Sequence, residues 1–496
     1  MKYSFSILFF IILSCTSCKK FLEENPKGQI TNANFYKTND DAVAAINGVY
    51  AEMRFEVGNG IPAIYMVEQI SDDGTMSTTA TQVLERIELD NMVYNSQHSI
   101  INTVWGGFYK VIDRANYVIK YVVDTNYVRA DLMYRIQAEA RFIRAFYHFR
   151  LVQLFGDIPL MLEPADVTKG NLYPKRTPTR QVYESIINDL KFAEANLDTS
   201  YTYNDSKNGG RATVAAAKAL LGKVYLTMAG FPLYESGAYQ LAADKLKELI
   251  DNKTTYGVDV SSSYSTIFSN VVSVKAADKE RLFYTRGTSG MASGFAAFTR
   301  MKWTYVSFSQ AVPSKDFSNT AIEIRKVYET GDLRRNTVTN TAGSSIIKYN
   351  DPNQLDSADD FIWLRFSDVL LMYAEALIEL NTNTSLDDAL VIINDVRRKH
   401  GGPALAALTY IDQNDLRDKL RKERRRELAF EGHRWYDLKR WNILVSEIKN
   451  GLAYQFGREL SFYDYVDNPY PDKAKYLPIP FQELVQNGNL TQNQGY

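Results

Sequence analysis

Paired carboxylates are the first residues in this chain whose types and spacing could do chemistry. Asp72 and Asp73 are adjacent, and Glu427 and Glu431 stand four residues apart. Hydrolysis of a glycosidic bond needs two carboxyl groups facing each other across that bond. Neighbours such as Asp72 and Asp73 point in different directions, and Glu427 and Glu431 share one helix face already crowded by arginine. Both pairs are therefore expected to form structural ion pairs. The histidines His98, His148, His400 and His433 are scattered, with no H-E-x-x-H or other ligand spacing. His148, within Tyr147-His148-Phe149, is expected to pack, and His433 to bond a backbone carbonyl. Nucleophile elbows, phosphate loops and dinucleotide turns are missing. A non-catalytic protein with neither metal nor cofactor is the expectation.

The elements around these residues carry a stronger signal. In the helix that leads into the run Glu423 to Asn442, Leu416, Leu420 and Leu428 mark an apolar stripe, while Glu423, Glu427 and Glu431 recur at spacing four and would repel. Arg424, Arg426 and Arg434, each three residues from one of them, are expected to oppose that repulsion. Gly432 breaks the pattern, and Trp435, Leu438, Trp441 and Leu444 form a second stripe that another helix must cover. Two abutting amphipathic helices are predicted.

This run resembles the signature of the SusD/RagB family, surface lipoproteins of Bacteroidota that bind nutrients, mostly glycans, beside an outer-membrane transporter. PKGQITNANFYKTNDDAVAAINGVYAEMR, EARFIRAFYHFRLVQLFGDIPL, DFIWLRFSDVLLMYAEAL and the ending YLPIPFQELVQNGNLTQNQGY are similar to the family's segments, in its order. The resemblance implies an all-α dominated fold, a tetratricopeptide-like scaffold of helical pairs with long irregular loops forming the ligand face. It also implies a SusC-like TonB-dependent porin as partner and a glycan as ligand. Peptide cargo is an alternative, a glycoside hydrolase a more distant one, and a pure interaction scaffold a third class.

Composition agrees with this without producing it. A chain of 496 residues with 45% hydrophobic content can bury a large core. Lys plus Arg is 57 against 58 for Asp plus Glu, so no basic excess attracts nucleic acid or an anionic membrane, and polyanions are disfavoured partners. Lys2, the apolar Phe5 to Leu13 and the small residues Ser14 to Cys18 read as a signal peptide over 1–17. Cys15 and Cys18 have redox-pair spacing, but their place at its end favours lipoprotein processing at Cys18, with Cys15 as the alternative. A lipidated tether over 18–30 would hold the chain to outer-membrane lipid. Glu23 and Glu24 resemble the acidic export signals of this group, placing it on the cell exterior. Residues 31–496 are expected to form a single SusD-like domain, with an amino-terminal part over about 31–230 and a carboxy-terminal part over about 260–496.

Apolar periodicity predicts helices over Asp40–Arg54 with Asn39 as cap, Ile101–Val122, Asp131–Phe155, Thr213–Met228, Tyr239–Ile250, Phe366–Leu380 and Leu386–Lys399. Between them lie irregular stretches, Ser71–Ser99, Ser261–Thr320 and Thr339–Phe361, long enough to be functional. A glycan presents flat ring faces and hydroxyls, which call for Trp or Tyr to stack and Asp, Asn and Arg to bond the rim. The ligand-binding candidates are therefore Asp72, Asp73, Tyr94, Asn95, Arg300, Trp303 and Tyr305.

Overall fold

The computed structural model describes residues 35–54, 63–73, 85, 88–89, 92–123, 129–201, 208–269, 271–287, 327–339, 347–349, 360–448 and 475–496. Cys15, Cys18, Arg300, Trp303 and Tyr305 lie outside the described residues.

Among the described residues, the helices of seven residues or more are α1 (Asn39–Met53), α2 (Ala63–Gln69), α3 (Ser99–Tyr121), α4 (Ala130–Phe155), α5 (Thr179–Asn196) and α6 (Val214–Ala229). They continue with α7 (Ala238–Asp251), α8 (Phe366–Leu380), α9 (Asn383–Val396), α10 (Gln413–Leu428) and α11 (Arg434–Arg440). Each helix from α3 to α7 packs on the next in sequence, α7 packs on α8, and α8 packs on both α9 and α10. The result is the helical-pair scaffold expected from the sequence.

Local chemistry sets the boundaries. The cap of α1 is Thr38, not Asn39: its hydroxyl accepts from Asp41 N–H at 3.1 Å while the Asp41 carboxylate accepts from Thr38 N–H at 2.8 Å. The buried face of α1 is Ala42, Ile46, Val49 and Met53, as its period requires. α4 ends at Gly156, whose φ of +74° suits a residue without Cβ. From Ala138 onward α4 is buried almost all round, because α1, α3 and α5 pack against it. Its arginines survive there by pairing. Arg144 makes two 2.8 Å bonds to the Asp189 carboxylate on α5, and the Arg150 guanidinium lies 4.7 Å from the ring centre of Phe108 and 4.8 Å from that of Trp363.

Two findings depart from the sequence reading. Helix α5 falls in a stretch for which no helix was predicted. The stretch expected to be irregular from Ser261 holds short helical turns at Tyr264–Ile267 and Val272–Ala277 and strand β1 (Arg281–Thr285). β1 pairs antiparallel with β2 (Phe361–Arg365), an entirely buried strand that leads straight into α8. A five-residue strand with irregular register leaves little period to read. β1 also packs on α6, which brings its far end beside the turn that precedes that helix.

Candidate functional site

The carboxy-terminal signature forms a buried charge network. α10 and α11 are the two abutting helices predicted, separated by a break containing Gly432 at φ +76°. Glu423, Glu427 and Glu431 are all buried, but distant segments supply most of their cations. Arg334 reaches Glu423 at 2.7 Å and Glu427 at 2.9 Å. Arg365, at the end of β2, reaches Glu427 at 2.6 Å, Glu431 at 2.7 Å and Glu280 at 2.7 Å. Lys348 bonds Glu431 at 2.5 Å. Of the three arginines expected to neutralise this face, only Arg426 does so, at 3.2 Å from Glu423. Arg424 turns to Asp437 at 3.0 Å and Asp368 at 3.1 Å, and Arg434 turns to Asp72 at 2.7 Å.

Glu280, His400 and Glu427 bring their donor atoms within 4.8 Å of one another, the arrangement among the described residues most like a metal site. Its chemistry does not fit an ion. His400 Nδ1 lies 2.7 Å from Glu427, and Nε2 lies 3.2 Å from the Ser261 carbonyl. Burial disfavours the imidazolium, yet Glu427 and Glu280 raise its pKa to about 10. A protonated ring has no lone pair for a metal, and Arg365 already neutralises the same carboxylates. Glu427 with Glu431 thus belongs to a structural ion network. His433 corrects a second expectation: its Nδ1 lies 2.8 Å from Lys223 Nζ rather than on a carbonyl. Burial and that ammonium lower its pKa to about 4, so the neutral ring accepts the bond.

Three of the ligand candidates are turned inward. Asp72 is 8% exposed and Tyr94 is 2% exposed. The Asp72 carboxylate accepts from Arg434 at 2.7 and 2.8 Å, and Asp73 accepts from Arg425 at 2.6 Å. Burial works to raise the pKa of Asp72, but Arg434 and Arg425 outweigh it and hold it at about 2. Tyr94 stacks on Tyr496, ring centres 6.3 Å apart. These residues tie the segment after α2 to the signature and to the carboxy terminus, a role that local sequence did not reveal because the partners lie more than 350 residues away for the aspartates. Asn95 is exposed, with its Oδ1 accepting from Gln97 N–H at 2.8 Å.

An open cleft lies where the end of α1, the turn before α6 and the end of β1 converge. It encloses about 240 Å3 and is lined by Asn47, Tyr50, Arg54, Gly210, Arg211, Tyr284 and Arg286 among others. Asn47, Tyr50 and Arg54 fall at i, i+3 and i+7, one face of α1 and its following turn, away from its core stripe. Arg211 is fixed from behind: Nη1 donates to Glu139 at 2.6 Å, Nη2 donates to Asn47, and its guanidinium lies 5.1 Å from the Tyr50 ring centre. The Tyr50 hydroxyl accepts from Ala212 N–H at 3.0 Å. Gly210 has φ +90°, and a Cβ there would lie 3.2 Å from the Tyr284 carbonyl oxygen and 3.4 Å from its ring. Tyr50 and Tyr284, both half-buried, supply ring surface, and the arginines with Asn47 supply hydrogen-bond donors. A larger cleft of about 440 Å3 at Asp259–Ser262 and Ser273–Lys279 has no aromatic lining residue. The residues of the smaller cleft come from three separated segments, and only the α1 set was open to sequence reasoning.

Comparison with known proteins agrees with this scaffold. Residues 295–496 match the model of the SusD family, and residues 20–226 match a SusD-like model described as starch-binding and associating with the outer membrane. A SusD-like protein, P2, of Formosa agariphila is 29% identical, with 100% of this chain and 99% of that protein covered. The crystal structure of a SusD homologue of Bacteroides thetaiotaomicron superposes with a TM-score of 0.75 at 22% identity, covering 94% of this chain and 98% of the other. A laminarin-binding SusD-like protein superposes with a TM-score of 0.69 at 24% identity, covering 93% and 100%. The chain belongs to the SusD/RagB family.

Proposed function

We propose that this protein is a surface nutrient-binding lipoprotein that captures an oligo- or polysaccharide and passes it, uncut, to a SusC-like TonB-dependent porin. The observation that carries this reading is the match to two SusD models across both parts of the chain, one of them described by starch binding and outer-membrane association. Acylation of Cys18 holds the mature chain to the outer membrane, facing the exterior. The scaffold helices meet the porin, and the ligand face takes the glycan through exposed polar and aromatic residues. Asn95, Arg300, Trp303 and Tyr305 remain candidates for that face. The carboxylates best placed in sequence for hydrolysis, Glu427 with Glu431 and Asp72 with Asp73, are bound to buried or half-buried arginines. Glu427, Glu431 and Asp72 are held below the ordinary carboxylate range by the cations beside them, and Asp73, raised by burial, accepts from Arg425 rather than facing a nucleophile across an open site.

Native affinity electrophoresis of the soluble chain from Lys19, against a polysaccharide panel, tests the proposal. Retardation with no sugar released is the expected result. Released products that disappear in a carboxylate variant would instead make the protein a hydrolase.

A further inference from the structure

We propose that a single proton, carried by Glu68, clasps the end of α2 to the signature, and that its departure in alkali loosens the clasp. The inference goes beyond the glycan-binding reading above and holds whatever the cargo is.

Glu68 is 2% exposed, and its Oε1 accepts at 2.5 Å from the N–H of Gly432, in the break between α10 and α11 and 364 residues away in the chain. Its Oε2 is buried without a donor, and so is Oδ2 of Asp73. Two buried anionic oxygens left in that state are costly. No hydrogen bond from a neighbouring cation reaches either atom. Arg425 donates to the other oxygen of Asp73 at 2.6 Å, and Arg434 donates to Asp72 at 2.7 and 2.8 Å. Lys348 directs its three protons to Glu431 at 2.5 Å, the Ala429 carbonyl at 2.7 Å and the Tyr264 hydroxyl at 2.7 Å. The charged groups that face Glu68 are thus Asp73 from its own segment, Glu431 from the break, and a Lys348 already bound to Glu431. A proton resolves the mismatch. It turns Oε2 from a stranded acceptor into a donor, and Asp73, the acid that acts on Glu68 most strongly, has an unpaired acceptor in Oδ2. Burial, with Asp73 behind it, raises the Glu68 pKa to about 8, so the acid is neutral at pH 7. A metal ion does not fit in the proton's place: among the described residues only Glu280, His400 and Glu427 bring three such ligand atoms within 4.8 Å of one another. Ionised, Glu68 becomes a third anion beside Asp73 and Glu431, and their repulsion acts between the end of α2 and the break that it holds.

Glu68→Gln keeps an acceptor for the Gly432 N–H and carries a permanent donor, so it imitates the protonated acid. The native pKa of about 8 lies above the ordinary 4.5, so the native state holds the proton more tightly, and the acid's contribution is complete below pH 4.5 and lost as pH climbs through 8. The unfolding midpoint of Glu68→Gln should therefore lie close to that of the wild type near pH 4.5, exceed it by a gap that widens up to about pH 8, and level off beyond. Comparison of the two proteins cancels the titration of Lys348 and the histidines, which they share. Amide exchange over 69–73 and at Gly432, corrected for the intrinsic rate at each pH, should quicken about tenfold in the wild type by one unit past that pKa and stay level in the variant. Infrared spectra of the unaltered protein do not depend on the variant folding: a protonated-carboxyl stretch present at neutral pH should fade as pH passes about 8. A midpoint gap independent of pH, exchange that does not quicken, or no fading of that stretch would overturn the inference. Stabilisation of the wild type but not of Glu68→Gln by added calcium chloride would also overturn it, by putting a cation where the proton is placed. None of these outcomes bears on whether a polysaccharide retards the chain.

Discussion

At the residue scale, burial separates the signature's role from ligand contact. Trp435 is 1% exposed and packs edge-on against Tyr436. Trp435→Ala should destabilise by ~3–5 kcal/mol in urea unfolding, while the folded fraction keeps its glycan affinity. A stable variant that no longer binds would place the signature at the ligand instead. His400 allows a test by pH. Its pKa is raised from 6.5 to about 10 by Glu427 and Glu280 against the cost of burial. A raised pKa means that the native state holds the proton more tightly, so its contribution is complete below pH 6.5 and disappears as pH climbs through 10. The stability difference between the wild type and His400→Gln should therefore shrink steadily over that window. A gap independent of pH would show that the imidazolium is not the species that the cluster holds.

At the element scale, a few junctions hold separate helices in register. Arg365 joins β2 to α10 through Glu427, to the break after α10 through Glu431 and to the residue before β1 through Glu280. Replacing it by Ala would leave buried carboxylates uncompensated, a loss of ~3–5 kcal/mol that a thermal melt would register. The end of α6 meets the end of α11, where Phe231 N–H donates to the Arg440 carbonyl at 2.9 Å. A Cβ on Gly230 would come within 2.2 Å of that same oxygen, so Gly230→Ala must separate the two helix ends. Its expected cost is at the upper end of overpacking, roughly 3 kcal/mol, and should appear as lowered unfolding midpoint and yield. Full stability in that variant would mean that the α6–α11 junction adapts freely.

At the scale of the whole molecule, no described helix is long and apolar enough to cross a membrane. If Cys18 carries the lipid, as proposed above, Cys18→Ala should release the protein from the outer-membrane fraction while the soluble chain still binds glycan. Persistence of the variant in that fraction would point to Cys15 or to the porin as the anchor. The helical scaffold and the signature were legible in the sequence because both rest on local regularities. Apolar spacing marks one face of α1, α3 and α8, and the arginine–glutamate alternation of α10 declares a buried ionic helix before its partners are known. The partners themselves were not legible. Arg334, Arg365 and Lys348 reach Glu427 and Glu431 across tens of residues of chain, and Arg425 and Arg434 capture Asp73 and Asp72 from the opposite end of the protein. Sequence by itself thus determined the helical class, the family and the charged signature, since each is written in short-range order. Only the tertiary structure decided that Asp72, Asp73 and Tyr94 face inward and that Tyr50, Arg211 and Tyr284 share a cleft, because burial and convergence depend on which distant surfaces meet.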